Sequence, residues 1–220
     1  MSFNRKEFLQ TLLLGTGGIL AASKLAIAGV PIFSGSTIKA IVVDYSKCAG
    51  CRTCETVCSA FHHQIAHEGQ QFRGKGIPAW SNIKVWHYNP PMDVPVTCFL
   101  CDDAPCIEAC PVRPDKVTGR RALYRDEVLH TIQNDLDRCI GCEQCAEACQ
   151  SSRGGVIFPD EEGRPNGICD LCQGDPNCVK YCPYDALAFL EITVDMPYRQ
   201  MQPEKIANQL IASYYQQNLS

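Results

Sequence analysis

Sixteen cysteines carry the chemistry of this sequence, and they fall into four tight groups with none left over. Group one is Cys48, Cys51, Cys54 and Cys58, spaced C-x2-C-x2-C-x3-C, and group three, Cys139, Cys142, Cys145 and Cys149, repeats that spacing. Group two, Cys98, Cys101, Cys106 and Cys110, widens the middle gap to four residues, and group four, Cys169, Cys172, Cys178 and Cys182, widens it to five. Disulfide partners are usually spread along a chain, because a bridge gains most by closing a long loop. Structural zinc takes two cysteine pairs set far apart. Four cysteines within a dozen residues suit a single iron–sulfur cubane instead. Three thiolates two residues apart can face three of its corners. The fourth, three residues on, is expected at the start of a short helix, pointing to a neighbouring cluster. Four unbroken groups therefore predict four [4Fe–4S] clusters, none of them a three-iron cluster. In two-cluster ferredoxins the fourth cysteine ligates the other cluster, so the groups act in pairs. Spacing leaves the pairing open, since one-with-two and one-with-four each join a narrow group to a wide one. Pro111 and Pro183 follow the last cysteine of groups two and four, where a residue without an N–H turns the chain away.

Short strands are the elements that must hold such loops. Ala40–Val43 leads into group one, and Ile83–Tyr88 alternates and ends at Asn89-Pro90-Pro91 before group two. Thr131-Ile132-Gln133 precedes group three, and Ala188–Ile192 follows group four. The stretches between groups are turn-rich and polar, and the longest, Ala60 to Val96, offers surface for a partner. From Pro203 the pattern is helical, with Ile206, Leu210, Ile211 and Tyr214 on one apolar face that needs a surface to pack on. The expected fold is α+β: two bacterial-ferredoxin-like dicluster modules with short strands, short helices and long loop insertions.

The chain of 220 residues has a formal charge of −4 before any cluster is counted. Each cluster with four thiolates adds roughly −2 when oxidised. No basic run or basic–aromatic patch is present, so no nucleic-acid partner is expected. No radical-type C-x3-C-x2-C group, dinucleotide-type glycine fingerprint or nucleophile–base signature points to catalysis. Lys47, Arg52, Arg138 and Lys180 lie beside cysteines, as solvated surface cations or as charges that raise a cluster potential. Val57, Ile107 and Ile140 are expected to shield clusters from water. His62, His63 and His67 crowd the insertion after group one, but Rieske-type Cys-x-His pairs are absent. That segment reads as a polar or partner-facing loop.

With these groups in view, the chain resembles the four-cluster subunits of molybdopterin and tungstopterin oxidoreductases, such as the iron–sulfur subunits of formate dehydrogenase, dimethyl-sulfoxide reductase and polysulfide reductase. The resemblance runs from Lys39 to Thr193 and rests on group order, the Cys-Pro endings and the wide second gap. It implies that group one pairs with four and two with three. The first cluster would then take Cys48, Cys51, Cys54 and Cys182, and the second Cys58, Cys169, Cys172 and Cys178. The third would take Cys98, Cys101, Cys106 and Cys149, and the fourth Cys110, Cys139, Cys142 and Cys145. The implied role is a non-catalytic wire passing electrons between a molybdopterin or tungstopterin catalytic subunit and a redox partner, membrane anchor or cytochrome subunit. The compact fourth group is a departure. It looks more like ferredoxin partners of aldehyde:ferredoxin oxidoreductases, carbon monoxide dehydrogenases and hydrogenases, and a free polyferredoxin carrier for such an enzyme is the alternative.

Residues 1–35 read as a targeting segment, 36–200 as the cluster domain and 201–220 as a helical tail. Arg5 and Lys6 open a weakly apolar stretch, Leu12 to Ala22, followed by a small-residue Ala26-Ile27-Ala28 site. Asn4-Arg5-Lys6-Glu7-Phe8-Leu9-Gln10 resembles a twin-arginine export signal with lysine in the second place. Clusters are built in the reducing cytoplasm, so an exported cluster protein has to cross already folded. The expectation is a periplasmic protein, or one on the outer face of the cytoplasmic membrane, with the cytoplasm as the alternative.

Overall fold

The computed structural model describes residues 37–193 and 195–216. The targeting segment read at 1–35 lies outside these residues. Among them, ten short strands form five two-stranded antiparallel ribbons. Strand β1 (Thr37–Val43), just before group one, pairs along its whole length with β10 (Leu187–Thr193), just after group four. That single ribbon brings the first and last cysteine groups together. A small ribbon, β2 (Ile65–His67) with β3 (Gln70–Phe72), structures the histidine segment expected to be loop, and the strand expected at Ile83–Tyr88 is β4 (Ile83–Tyr88), paired with β5 (Met92–Thr97). The alternating Ile83 and Val85 point inward and are buried, as are Val94 and Val96 of β5. The ribbon β6 (Leu123–Arg125) with β7 (Ile132–Asn134) leads into group three, and β8 (Phe158–Pro159) with β9 (Pro165–Asn166) follows it.

Each cysteine group feeds a short helix: α1 (Thr53–His62), α2 (Pro105–Glu108), α3 (Gln144–Ser152) and α4 (Asn177–Lys180). Helix α1 packs on α4, and α2 on α3. The expected placement of the fourth cysteine at a helix start is corrected here. The third cysteine of each group occupies the second helical position, and the fourth follows one turn on or just beyond the helix. Arg52, Ala104 and Glu143 precede α1, α2 and α3 in the left-handed conformation, so the loop turns sharply and the helix starts at once. The last helix, α5 (Pro203–Gln216), buries Ile206, Ala207 and Leu210 against β4 and β5 in the largest core cluster. No described helix is long and apolar enough to cross a membrane.

Candidate metal centres

The fold mixes the cysteine groups. Cys48, Cys51 and Cys54 line one cavity with Cys182. Cys98, Cys101 and Cys106 line a second with Cys149, and Cys139, Cys142 and Cys145 line a third with Cys110. These three cavities are alike in size. The remaining four meet in the same manner: Cys178 lies beside Cys58 and Cys172, and Cys169 beside Cys178 and Cys58. Every quartet thus takes three cysteines from one group and the last cysteine of another. No two cysteines of the described chain form a disulfide.

Local backbone geometry explains how short loops converge their sulfurs. The residue before the second cysteine has a positive φ in every group: Gly50 at 62°, Leu100 at 51°, Gly141 at 66° and Leu171 at 56°. This turn aims backbone N–H groups at the sulfurs, as in the concave N–H nests that hold anions. The N–H groups of Gly50, Leu100 and Leu171 donate to the first cysteines Cys48, Cys98 and Cys169. Further donors come from Asn82, whose N–H lies 3.2 Å from Cys58 Sγ, and Ala186, whose N–H lies 3.3 Å from Cys182 Sγ. Leu100 and Leu171 are buried in one cluster with Ile38 and Cys169.

Burial is the first cause that raises the thiols. It pushes Cys54, Cys98 and Cys106 up to about 12 and Cys145 to about 11. Thiols so placed give up their protons on binding metal, which makes loading a proton-releasing step. Two buried polar groups also fit a cluster. Nε of Arg153 and the side-chain amide of Asn134 have no hydrogen-bond partner among the described residues, and they line the second and third cavities. A buried N–H without a partner is costly, and a sulfide or thiolate in those cavities would accept from it.

Several surrounding residues differ from expectation. Ile140 does not shield a site: it is 67% exposed, because the left-handed turn at Gly141 throws it outward, while Val57 and Ile107 are half-buried. The four flanking cations engage protein oxygens. Lys47 lies 3.3 Å from Asp44, and Arg52 lies 2.9 Å from Glu55. Arg138 donates to the carbonyls of Arg120 and Arg113, and Lys180 pairs with Asp175. His62 is no loop residue. It closes α1, and its Nε2 sits 3.6 Å from Cys172 Sγ and 3.5 Å from Asp170 Oδ1. Its bonds to Cys172 and then Cys58 push the imidazole up to about 10. Burial raises Cys172, but His62 and the Asn177 N–H outweigh it and leave that thiol below its ordinary value. His63 bonds the Trp80 carbonyl at 2.9 Å, and His67 is exposed beside Glu68. Arg153, which sequence reasoning passed over, closes α3 and lines one cavity with Cys101, and its charge favours the Cys101 thiolate. Its signal is positional: His62 and Arg153 each lie four residues after the last cysteine of a narrow group.

Short strands, short helices and nested cysteine loops define a ferredoxin-like iron–sulfur protein of mixed α/β structure that binds [4Fe–4S] clusters and transfers electrons. The 4Fe-4S binding domain family matches residues 132–151, which hold all of group three. Over 149 residues the chain is 34% identical to the polyferredoxin-like subunit of an aliphatic sulfonate oxidoreductase of Pyrococcus furiosus, covering 64% of this chain and 70% of that one. The putative electron transport protein YsaA of Escherichia coli is 32% identical over 165 residues, covering 74% of this chain and 96% of the relative. A chain of the BamBC active-site complex of benzoyl coenzyme A reductase aligns at 26% identity over 82% of this chain and 92% of its own length, with a TM-score of 0.37. The chain belongs to the polyferredoxin-like family of iron–sulfur electron-transport proteins.

Proposed function

We propose that the chain is a non-catalytic relay holding four [4Fe–4S] clusters in two crossed dicluster modules. It would pass single electrons between a catalytic oxidoreductase subunit, of molybdopterin or tungstopterin type, and a redox partner or membrane subunit. The observation that carries this reading is the sorting of sixteen cysteines into four quartets, each completed by the last cysteine of a distant group. The ligand sets assigned to the clusters are those quartets: Cys48, Cys51, Cys54, Cys182; Cys58, Cys169, Cys172, Cys178; Cys98, Cys101, Cys106, Cys149; and Cys110, Cys139, Cys142, Cys145. The subunit role is supported by the similarity to a chain named as an oxidoreductase subunit.

Bound clusters supply one-electron acceptance and release, with no bond made or broken. The chain's own residues order and insulate them. Cys54 and Cys58, one turn apart on α1, belong to the first and second sets, and Cys145 and Cys149 on α3 belong to the fourth and third. Cys169 of the second set lies beside Cys98 of the third. The sets therefore touch in series, first to fourth. Exposed cysteines lie only in the end sets, Cys51 in the first and Cys142 in the fourth. Those ends suit exchange with partners, while every cysteine of the inner sets is buried or half-buried.

The experiment for this reading is Cys182→Ser. Losing that ligand should disturb the spectrum and potential of the cluster held by Cys48, Cys51 and Cys54. Damage confined to the cluster of Cys169, Cys172 and Cys178 would refute the crossed arrangement. We further propose that the N-terminal segment exports the folded, loaded chain to the outer face of the cytoplasmic membrane.

A further inference from the structure

Helices α1 and α3 end alike. His62 and Arg153 follow Cys58 and Cys149 by four residues, which is one helical turn, so each lies on the face of the cysteine before it. Each also reaches across to the second cysteine of the partner group. His62 Nε2 sits 3.6 Å from Cys172 Sγ, and Arg153, its buried Nε without a partner among the described residues, lines one cavity with Cys101. Both recipients belong to the inner sets, the second and the third. The charges are locally offset, since Asp170 lies 3.5 Å from His62 and Asp103 pairs with Arg153. What each side chain delivers is a directed N–H more than a net charge. Hydrogen bonds to ligand sulfurs stabilise the reduced, more negative state of a cluster and raise its potential.

We infer that His62 and Arg153 are equivalent positioning residues that raise the reduction potentials of the two inner clusters. The inference rests on the ligand sets proposed above. In the outer sets the cysteines receive backbone N–H groups from Gly50, Glu55, Ala146 and Ala186, the Thr53 hydroxyl lies 3.4 Å from Cys51 Sγ, and the Asn134 amide lines the cavity of the fourth set, but neither side chain ends a cysteine-bearing helix as His62 and Arg153 do.

The test is an EPR-monitored redox titration of the full chain, purified anaerobically, as wild type, His62→Phe and Arg153→Met. Each substitution should lower the midpoint of one inner cluster by a three- to tenfold change in its reduction equilibrium, about 30–60 mV for one electron. The other clusters should hold their potentials. His62→Gln and Arg153→Lys keep an N–H at that height and should recover at least half of the shift. These two carry the test if a donor-free variant fails to load. Loaded variants with unchanged potentials, with all clusters shifted together, or with no recovery by Gln and Lys would overturn the inference. Iron and sulfide measured on the same samples separate its failure from that of the ligand sets. Wild-type chain without cubanes would overturn both.

Discussion

Leu100 and Leu171 take positive φ angles of 51° and 56° where groups one and three use Gly50 and Gly141. A left-handed non-glycine residue costs roughly 1–2 kcal/mol, and full burial of a leucine contributes roughly 1.5–3 kcal/mol. With both side chains 1% exposed in one cluster, burial outweighs the strain. Gly141 has no such option, because a Cβ there would stand 2.1 Å from the Glu162 carbonyl oxygen. Gly141→Ala should therefore loosen the loop of group three and cost the protein about a quarter of its iron. Gly69→Ala is the matched control. Its φ is +76° but open space surrounds it, so only about 1 kcal/mol of strain and full iron content are expected. Iron analysis of the two purified variants checks this. The cysteine spacing made the ligands legible in the sequence. The left-handed leucines were not, because nothing local marks Leu100 or Leu171 and only the shared core holds them. His62 read as a loop residue and Arg153 was passed over for a related reason: their targets lie in other groups.

Helix α1 is tied to the β4–β5 ribbon by one buried carboxylate. Glu55 accepts from the Val85 N–H at 2.8 Å and lies 2.9 Å from Arg52, whose guanidinium also donates to the Val85 carbonyl. Glu55 is 2% exposed, so Glu55→Ala leaves a buried strand N–H and a cation without their acceptor. A loss of about 2 kcal/mol is expected, read as a fall of about 1 M in the urea concentration that bleaches half the cluster absorbance. Glu55→Gln keeps an acceptor and should fall less. At this scale β4 was legible from its alternation and β1 and β10 from their apolar runs. Strand β5 was not, because Pro95 stands in its middle and proline argues against a central strand. In a two-stranded ribbon both strands are edges, so Pro95 is tolerated opposite Val85. The apolar face read on the C-terminal helix meets this ribbon, whose Val94 and Val96 give it a surface to pack on.

For the whole molecule, ribbon β1–β10 closes the chain on itself, bringing together groups more than a hundred residues apart in sequence. That closure could not be read from spacing, which fitted two pairings equally well. The export proposal belongs at this scale too. Replacing Arg5 and Lys6 with Gln should strand a loaded protein in the cytoplasm, as cell fractionation with iron analysis would report, and wild type found in the cytoplasm would remove the proposal. The central claim is the loading of the four quartets, and its most direct measurement is iron and acid-labile sulfide on anaerobically purified chain. Four cubanes predict about sixteen of each per chain. About eight of each, or zinc in place of iron, would contradict the account.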